Sequence, residues 1–144
     1  MDDGVSYARL EPESAERFVS LRRALGVTSF GINQMCLQPG QRGRIHRHEH
    51  QEEVYLVLEG RLTLEIEGDP TDLDVGQLAR VGPEVRRRLS NTTRAPCTVL
   101  ALGGSGEHQG RDGIAYRAWD DPSPAPPQEI PLPDDLPEGD LRDP

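Results

Sequence analysis

Three of the four histidines fall within five positions, at 46, 48 and 50, and the acidic pair Glu52 and Glu53 follows at once. His46, His48 and Glu53 supply two imidazoles and a carboxylate, the donor types that hold a divalent transition metal while leaving coordination positions open. If residues 44–48 are extended, a period of two sends His46 and His48 to one face and Arg47 to the other, so both rings converge on one ion. The short connection 49–52 returns the chain and places Glu53 at the start of a neighbouring antiparallel strand. The apolar run 54–58 makes that strand buried enough to hold the donors rigidly. His50 keeps the phase but sits in the turn and reads as exposed. His108, the remaining histidine, falls in a glycine-rich stretch and reads as solvated.

The surrounding chain reads as a succession of short strands. Residues 6–26 read as an arm with a short helix capped by Ser14, carrying Phe18, Leu21 and Leu25 on one face and ended by Gly26. Residues 27–37 alternate as a strand with Phe30, Ile32, Gln34 and Cys36 on one side, and Pro39-Gly40 turns into the histidine segment. Glu59-Gly60 separates two strand patterns as a two-residue hairpin would. Leu62, Leu64 and Ile66 then alternate with Thr63 and Glu65 until Gly68-Asp69-Pro70 closes the strand. Residues 73–77 read as a turn, and strands follow at 77–81, 85–91 and 98–102. Such spacing predicts a sandwich or barrel. Within residues 85–91, Val85, Arg87, Leu89 and Asn91 share a face whose apolar members turn Arg87 inward, while Arg86 and Arg88 face out as solvated edge charges. The run 103–113 has the glycines of a phosphate cradle but no lysine and no following helix, and reads as a mobile loop.

With 144 residues and 34% hydrophobic content the chain supports one domain around one core. Its net charge is -9, and residues 118–144 supply most of it, with eight acids against one arginine. So acidic a chain has no electrostatic reason to bind nucleic acid or an anionic membrane. All sixteen basic residues are arginine, which excludes Schiff-base chemistry, pyridoxal phosphate attachment and a Walker phosphate loop. Cys36 and Cys97 lie far apart in apolar surroundings and read as buried, reduced thiols. No stretch approaches a membrane span and the amino terminus lacks export features, so a cytoplasmic protein is expected. The acidic tail 118–144, with eight prolines after Trp119, reads as extended or disordered, with Ile130, Leu132 and Leu136 as its anchoring candidates.

The spacing of Gly40, His46, His48, Glu53 and Gly60 resembles the first motif of the cupin family at every position, and Gly76 and Asn91 match the ends of its second motif. Inside that second motif Gly82, Pro83 and Glu84 depart from the family pattern, and Arg87 stands where the family has its fourth ligand histidine. The resemblance implies an all-β double-sheet jelly roll. On this reading residues 1–26 are an amino-terminal arm, residues 27–117 the cupin barrel and residues 118–144 the acidic tail. It also implies a divalent metal, iron, manganese, nickel or zinc, on His46, His48 and Glu53, and a small-molecule ligand.

Arg87 divides the functional reading. Beside a divalent ion at 4 Å its charge is repelled by roughly 8 kcal/mol at an effective dielectric of 20, before Glu53 or a bound anion offsets it. In one reading the protein binds metal, and Arg87 meets the carboxylate or enolate of a metal-bound small molecule, with Tyr55 as the second candidate catalytic residue. The implied enzymes are then oxidoreductases, dioxygenases among them, or isomerases. In the other, Arg87 pairs with Glu53 and leaves a metal-free binding or sensing module. Fold likeness does not choose between turnover and binding. Residues 54–58 are apolar on both faces, and cupin relatives commonly pair through such a sheet face, so a homodimer shielding Val54, Leu56 and Leu58 is expected.

Overall fold

The computed structural model of the chain describes residues 3–11, 14–104 and 112–144. Among the described residues ten strands form two five-stranded antiparallel sheets, the double-sheet jelly roll expected. The first sheet orders β1 (Phe18–Ser20), β2 (Gly31–Leu37), β9 (Cys97–Gly104), β4 (Glu52–Glu59) and β7 (Leu78–Val81). The second orders β10 (Gly113–Tyr116), β3 (Ile45–His48), β8 (Arg87–Ser90), β5 (Arg61–Ile66) and β6 (Asp69–Asp74). Alternation along the strands sends Tyr55, Val57 and Val99 of the first sheet and Leu62, Leu64 and Leu89 of the second into a common core. Burying each such aliphatic side chain contributes roughly 1.5–3 kcal/mol.

The helix is shorter than expected. It spans only α1 (Leu21–Leu25), capped by Ser20, whose hydroxyl accepts from the Arg23 amide, and ended by Gly26 at φ 75°. Ser14 caps nothing helical; its hydroxyl accepts from the Glu16 amide in a bend. Phe18 to Ser20 pair instead with Met35 to Asn33, because the free edge of β2 offers β-favouring residues a ladder that a one-turn helix cannot match.

Two connections predicted as hairpins cross between sheets. β3 is hydrogen-bonded to β8 and β10, whereas β4 pairs with β7 and β9, so Glu53 faces the histidines across the sandwich and is not on their neighbouring strand. Glu59-Gly60 likewise joins β4 to β5 in the opposite sheet. Gly60 is needed there twice over: its φ is 75°, and a Cβ would stand 2.1 Å from the Pro96 carbonyl oxygen. A register shift between Val57 and Glu59 bends β4 toward that crossing. The true hairpin lies one strand later, at Glu67-Gly68, with φ 48° and 89°, and joins β5 to β6. Pro70, expected to close the preceding strand, therefore lies inside β6. An edge position tolerates it, and only Leu73 of β6 is buried.

The tail is extended and docked on the barrel. Ala125 exchanges both backbone hydrogen bonds with Ala115 of β10, the Leu136 amide donates to the Gly40 carbonyl, and residues 92–94 pair with Arg142. Ile130 and Leu141 are buried, whereas Leu132 is exposed. Cys36 and Cys97 are buried free thiols, and burial, with Glu59 and Cys36 adding to it, pushes the Cys97 thiol up to about 12. None of the helices among the described residues is long and apolar enough to cross a membrane.

Candidate metal centre

β3 carries His46 and His48 on its inward face, and β4 carries Glu53 and Tyr55 on the face opposite. In the second sheet His46 stands directly across the ladder from Arg87, and in the first Glu53 stands between Val81 and Gly103. Gly103 leaves space for this carboxylate, since a Cβ there would come within 3.4 Å of the Glu53 Cγ and 3.0 Å of the Gln51 Oε1. His46, His48 and Glu53 each offer a ligand atom within 4.8 Å of the others. The imidazole rings meet edge to face, with centroids 5.3 Å apart and planes at 81°.

Glu53 Oε1 is the hub. Tyr55 donates its hydroxyl to it at 2.5 Å and Arg87 Nη2 donates at 3.1 Å, while His48 Nε2 lies 3.0 Å away and His46 Nε2 3.8 Å. The His48 contact is close enough for an ion pair yet too poorly aligned for a hydrogen bond. Both of its ring nitrogens are buried without a hydrogen-bond partner among the described residues. A buried imidazole in that state costs free energy unless something else takes its lone pair. Burial alone would push the Glu53 carboxyl up, but the two imidazoles of His46 and His48 beside it outweigh that and hold the group well below its ordinary value. Tyr55 moves the other way: burial first, then the charge of Glu53, pushes its phenol well up, so it stays protonated and donates.

Arg87 is fully buried, and its neighbours explain how. Nε donates to Tyr55 Oη at 3.2 Å, and Nη1 faces the carbonyls of Gly82, Pro83 and Val85 at 3.4, 3.3 and 2.6 Å. The connection whose residues depart from the cupin pattern thus folds around the guanidinium that replaces the fourth histidine. The same connection supports β3, since the His48 amide donates to the Pro83 carbonyl at 2.8 Å.

The other sequence candidates lie apart. His50 is exposed, and His108 lies outside the described residues, as does the middle of the glycine-rich run, whose ends belong to β9 and β10. Arg86 and Arg88 face outward but are engaged: Arg86 over the Tyr116 ring at 3.7 Å and on the carbonyls of Trp119 and Asp121, Arg88 on Glu65. Asp112 was not among the sequence candidates, and nothing but its place at the end of the glycine-rich run marks it. Its carboxylate lies 3.6 Å from His48 Nδ1. Glu49, His50 and Asp112 also cluster within 4.8 Å, but two of them are exposed and backbone amides already occupy the Asp112 carboxylate.

The family profile described as Cupin domain matches residues 33–103, from β2 through β9, and includes His46, His48, Glu53, Tyr55 and Arg87. Polyketide synthase CurC of Streptomyces cyaneus is 31% identical over 67 residues, which make up 46% of this chain and 44% of that protein, so the match spans less than half the length of the relative. Among solved structures, a cupin protein of Bacteroides fragilis superposes with a TM-score of 0.65 at 22% identity, over 76% of this chain and 92% of its own. A sugar phosphate isomerase of the cupin superfamily from Silicibacter pomeroyi superposes at 0.59 and 24%, over 81% and 79%. The cupin domain of an XRE family transcriptional regulator from Enterobacter cloacae gives 0.57 and 21%, over 64% and 100%. At these identities the superpositions speak for the fold alone. Motif, topology and family match agree, and the chain belongs to the cupin superfamily.

Proposed function

We propose that this cupin holds a divalent transition metal on His46, His48 and Glu53 and binds a small enolate or carboxylate at that ion. The observation that carries the reading is His48, whose two ring nitrogens are buried with no hydrogen-bond partner among the described residues, set within ion-pair distance of a carboxylate that stays ionised. Two imidazoles and one carboxylate suit iron, manganese, nickel or zinc and leave positions for a ligand. Such an ion supplies Lewis acidity to a bound carbonyl or enolate.

The protein's own groups divide the remaining work. Arg87 and Tyr55 both donate to the Glu53 oxygen nearest the histidines, so they orient that ligand and balance its charge. Arg87 is fully buried, with Nε on Tyr55 and Nη1 on three carbonyls, so an anion at the metal would meet it only through Nη2, the nitrogen that already donates to Glu53. We therefore favour Arg87 as charge partner of Glu53 over a direct anion contact. The substrate context to test first comes from the name of the curated relative, a polyketide synthase: poly-β-ketones form chelating enolates, which would take the coordination positions that three protein donors leave open. Whether the chain turns such a molecule over or only binds it is the second half of the test. Chelator-stripped protein is titrated with a simple β-diketone before and after loading with each metal, and enolate absorbance and ketone exchange are followed. Metal-dependent enolate formation is expected; enolate binding that ignores metal counts against the reading.

The second reading, a metal-free binding module, draws on the 3.1 Å Arg87–Glu53 contact, which ties the carboxylate down without an ion. It predicts that metal loading leaves the thermal midpoint unmoved, whereas the metal reading predicts a rise. Assembly is also proposed: Val54, Leu56 and Leu58 lie on the outer face of β4, beside exposed Leu78 of β7, and a second copy is the cover we expect. A monomer by sedimentation at micromolar concentration refutes it.

A further inference from the structure

His46 and His48 leave the same strand toward the same point, yet their rings are held by different devices. His46 Nδ1 lies 3.2 Å from the carbonyl of Arg44 on its own strand, and an N–H donated there leaves the Nε2 lone pair facing Glu53. His48 has no such carbonyl. Among the described residues its Nδ1 is buried without a hydrogen bond, and the group across from it is the Asp112 carboxylate, with Oδ2 at 3.6 Å. Asp112 stands just before β10, far along the chain from the histidines, and its side chain is only 2% exposed.

That carboxylate is itself fixed. Oδ2 accepts from the backbone amides of His50 at 2.9 Å and Gln51 at 2.8 Å, and the Asp112 carbonyl accepts from the Glu49 amide at 3.1 Å. One residue therefore gathers three successive amides of the connection that carries the chain from the histidine strand to the glutamate strand. A negative charge held this way at the outer nitrogen of an imidazole favours the proton on that nitrogen and a free lone pair on the inner one, and it opposes the Glu53 carboxylate 3.0 Å from Nε2, which favours a proton there until an ion takes its place.

We propose that Asp112 is a positioning residue for His48: it clamps the 49–51 connection and selects the Nδ1–H tautomer, aiming Nε2 into the His46–Glu53 site. The proposal rests on the metal reading, but its two effects are separable. Asparagine at 112 keeps an oxygen for the backbone amides and removes the charge, whereas alanine removes both.

The test compares wild type, Asp112→Asn and Asp112→Ala by two readouts. One is zinc affinity by competition with a chromophoric chelator; the other is the tautomer of His48 in metal-free protein that also carries Glu53→Gln, which removes the competing charge at Nε2, read from nitrogen-15 correlations of the ring. With Asp112 in place that ring should show the Nδ1–H form; Asp112→Asn should remove the preference and, with Glu53 kept, bind zinc about 10- to 100-fold more weakly than wild type. An Asp112→Asn substitution that leaves both affinity and tautomer unchanged overturns the proposal, leaving Asp112 as a loop clamp only. If wild type binds no zinc, the metal reading fails separately, and the tautomer alone decides: Nδ1–H with Asp112 and its loss in Asp112→Asn supports positioning, and any other pattern overturns it.

Discussion

Glu53–Arg87 and Asp72–Arg142 are both carboxylate–arginine pairs, and the better-aligned one is the weaker. Arg142 grips Asp72 through two parallel hydrogen bonds of 2.8 and 2.9 Å, and Asp72 is held below its ordinary value by the Arg142 hydrogen bond first. Both partners are well exposed, at 48% and 37%, so water and salt compete for the same atoms. Arg87 reaches Glu53 through a single 3.1 Å contact, but the guanidinium is fully buried and the carboxylate nearly so. Inside the barrel, leaving either charge alone is costly; outside, it is not. The comparison teaches that burial, not fork geometry, decides which pair the fold depends on, and that the inner pair is the one placed against an unsatisfied histidine.

The largest expected effect is at Arg87. In metal-free protein Arg87→Gln strands the Glu53 carboxylate and should cost about 3–5 kcal/mol, a fall of roughly 10 °C or more in the thermal midpoint. Metal occupancy should stay intact or rise, since a repelling charge has gone, and added metal should recover part of the loss. A variant as stable as wild type breaks the contrast between the pairs. The pH dependence sharpens it: because the Glu53 value is depressed, its contribution is fully present above the ordinary value of 4.5 and is lost only as pH falls through its lower folded value. Wild-type stability should therefore hold at pH 5 and fall in stronger acid as Glu53 takes up a proton, by denaturant titration at each pH.

Tyr55→Phe should fall between. It removes a hydroxyl that donates to Glu53 and accepts from Arg87, and leaving buried partners short costs about 1–3 kcal/mol. The smallest effect belongs to Arg142→Ala, expected below about 1 kcal/mol and shrinking further in salt. A loss from Arg142→Ala equal to that from Arg87→Gln would remove the distinction by burial.

How much of this was legible in the sequence follows from what local pattern encodes. The inward set of β4 and β8, Arg87 included, was readable because period-two alternation is a property of one strand. Which sheet a strand joins is not, and so β3–β4 and β4–β5 were read as neighbours although they face each other across the core. β6 was missed for a related reason: DPTDLD has a proline and three aspartates, tolerable only at an edge where one residue, Leu73, is buried. The cluster of His46, His48 and Glu53 was legible through spacing. Their supports were not: the three carbonyls around Arg87 are backbone atoms, and Asp112 comes from a stretch whose composition reads only as loop.

The central claim is that His46, His48 and Glu53 hold an ion. Elemental analysis of protein purified without chelator, alongside His46→Ala and Glu53→Ala, tests it most directly. The account predicts close to one divalent transition metal per chain in wild type and none retained by either variant; metal-free wild type, even after loading with iron, manganese, nickel and zinc, contradicts it.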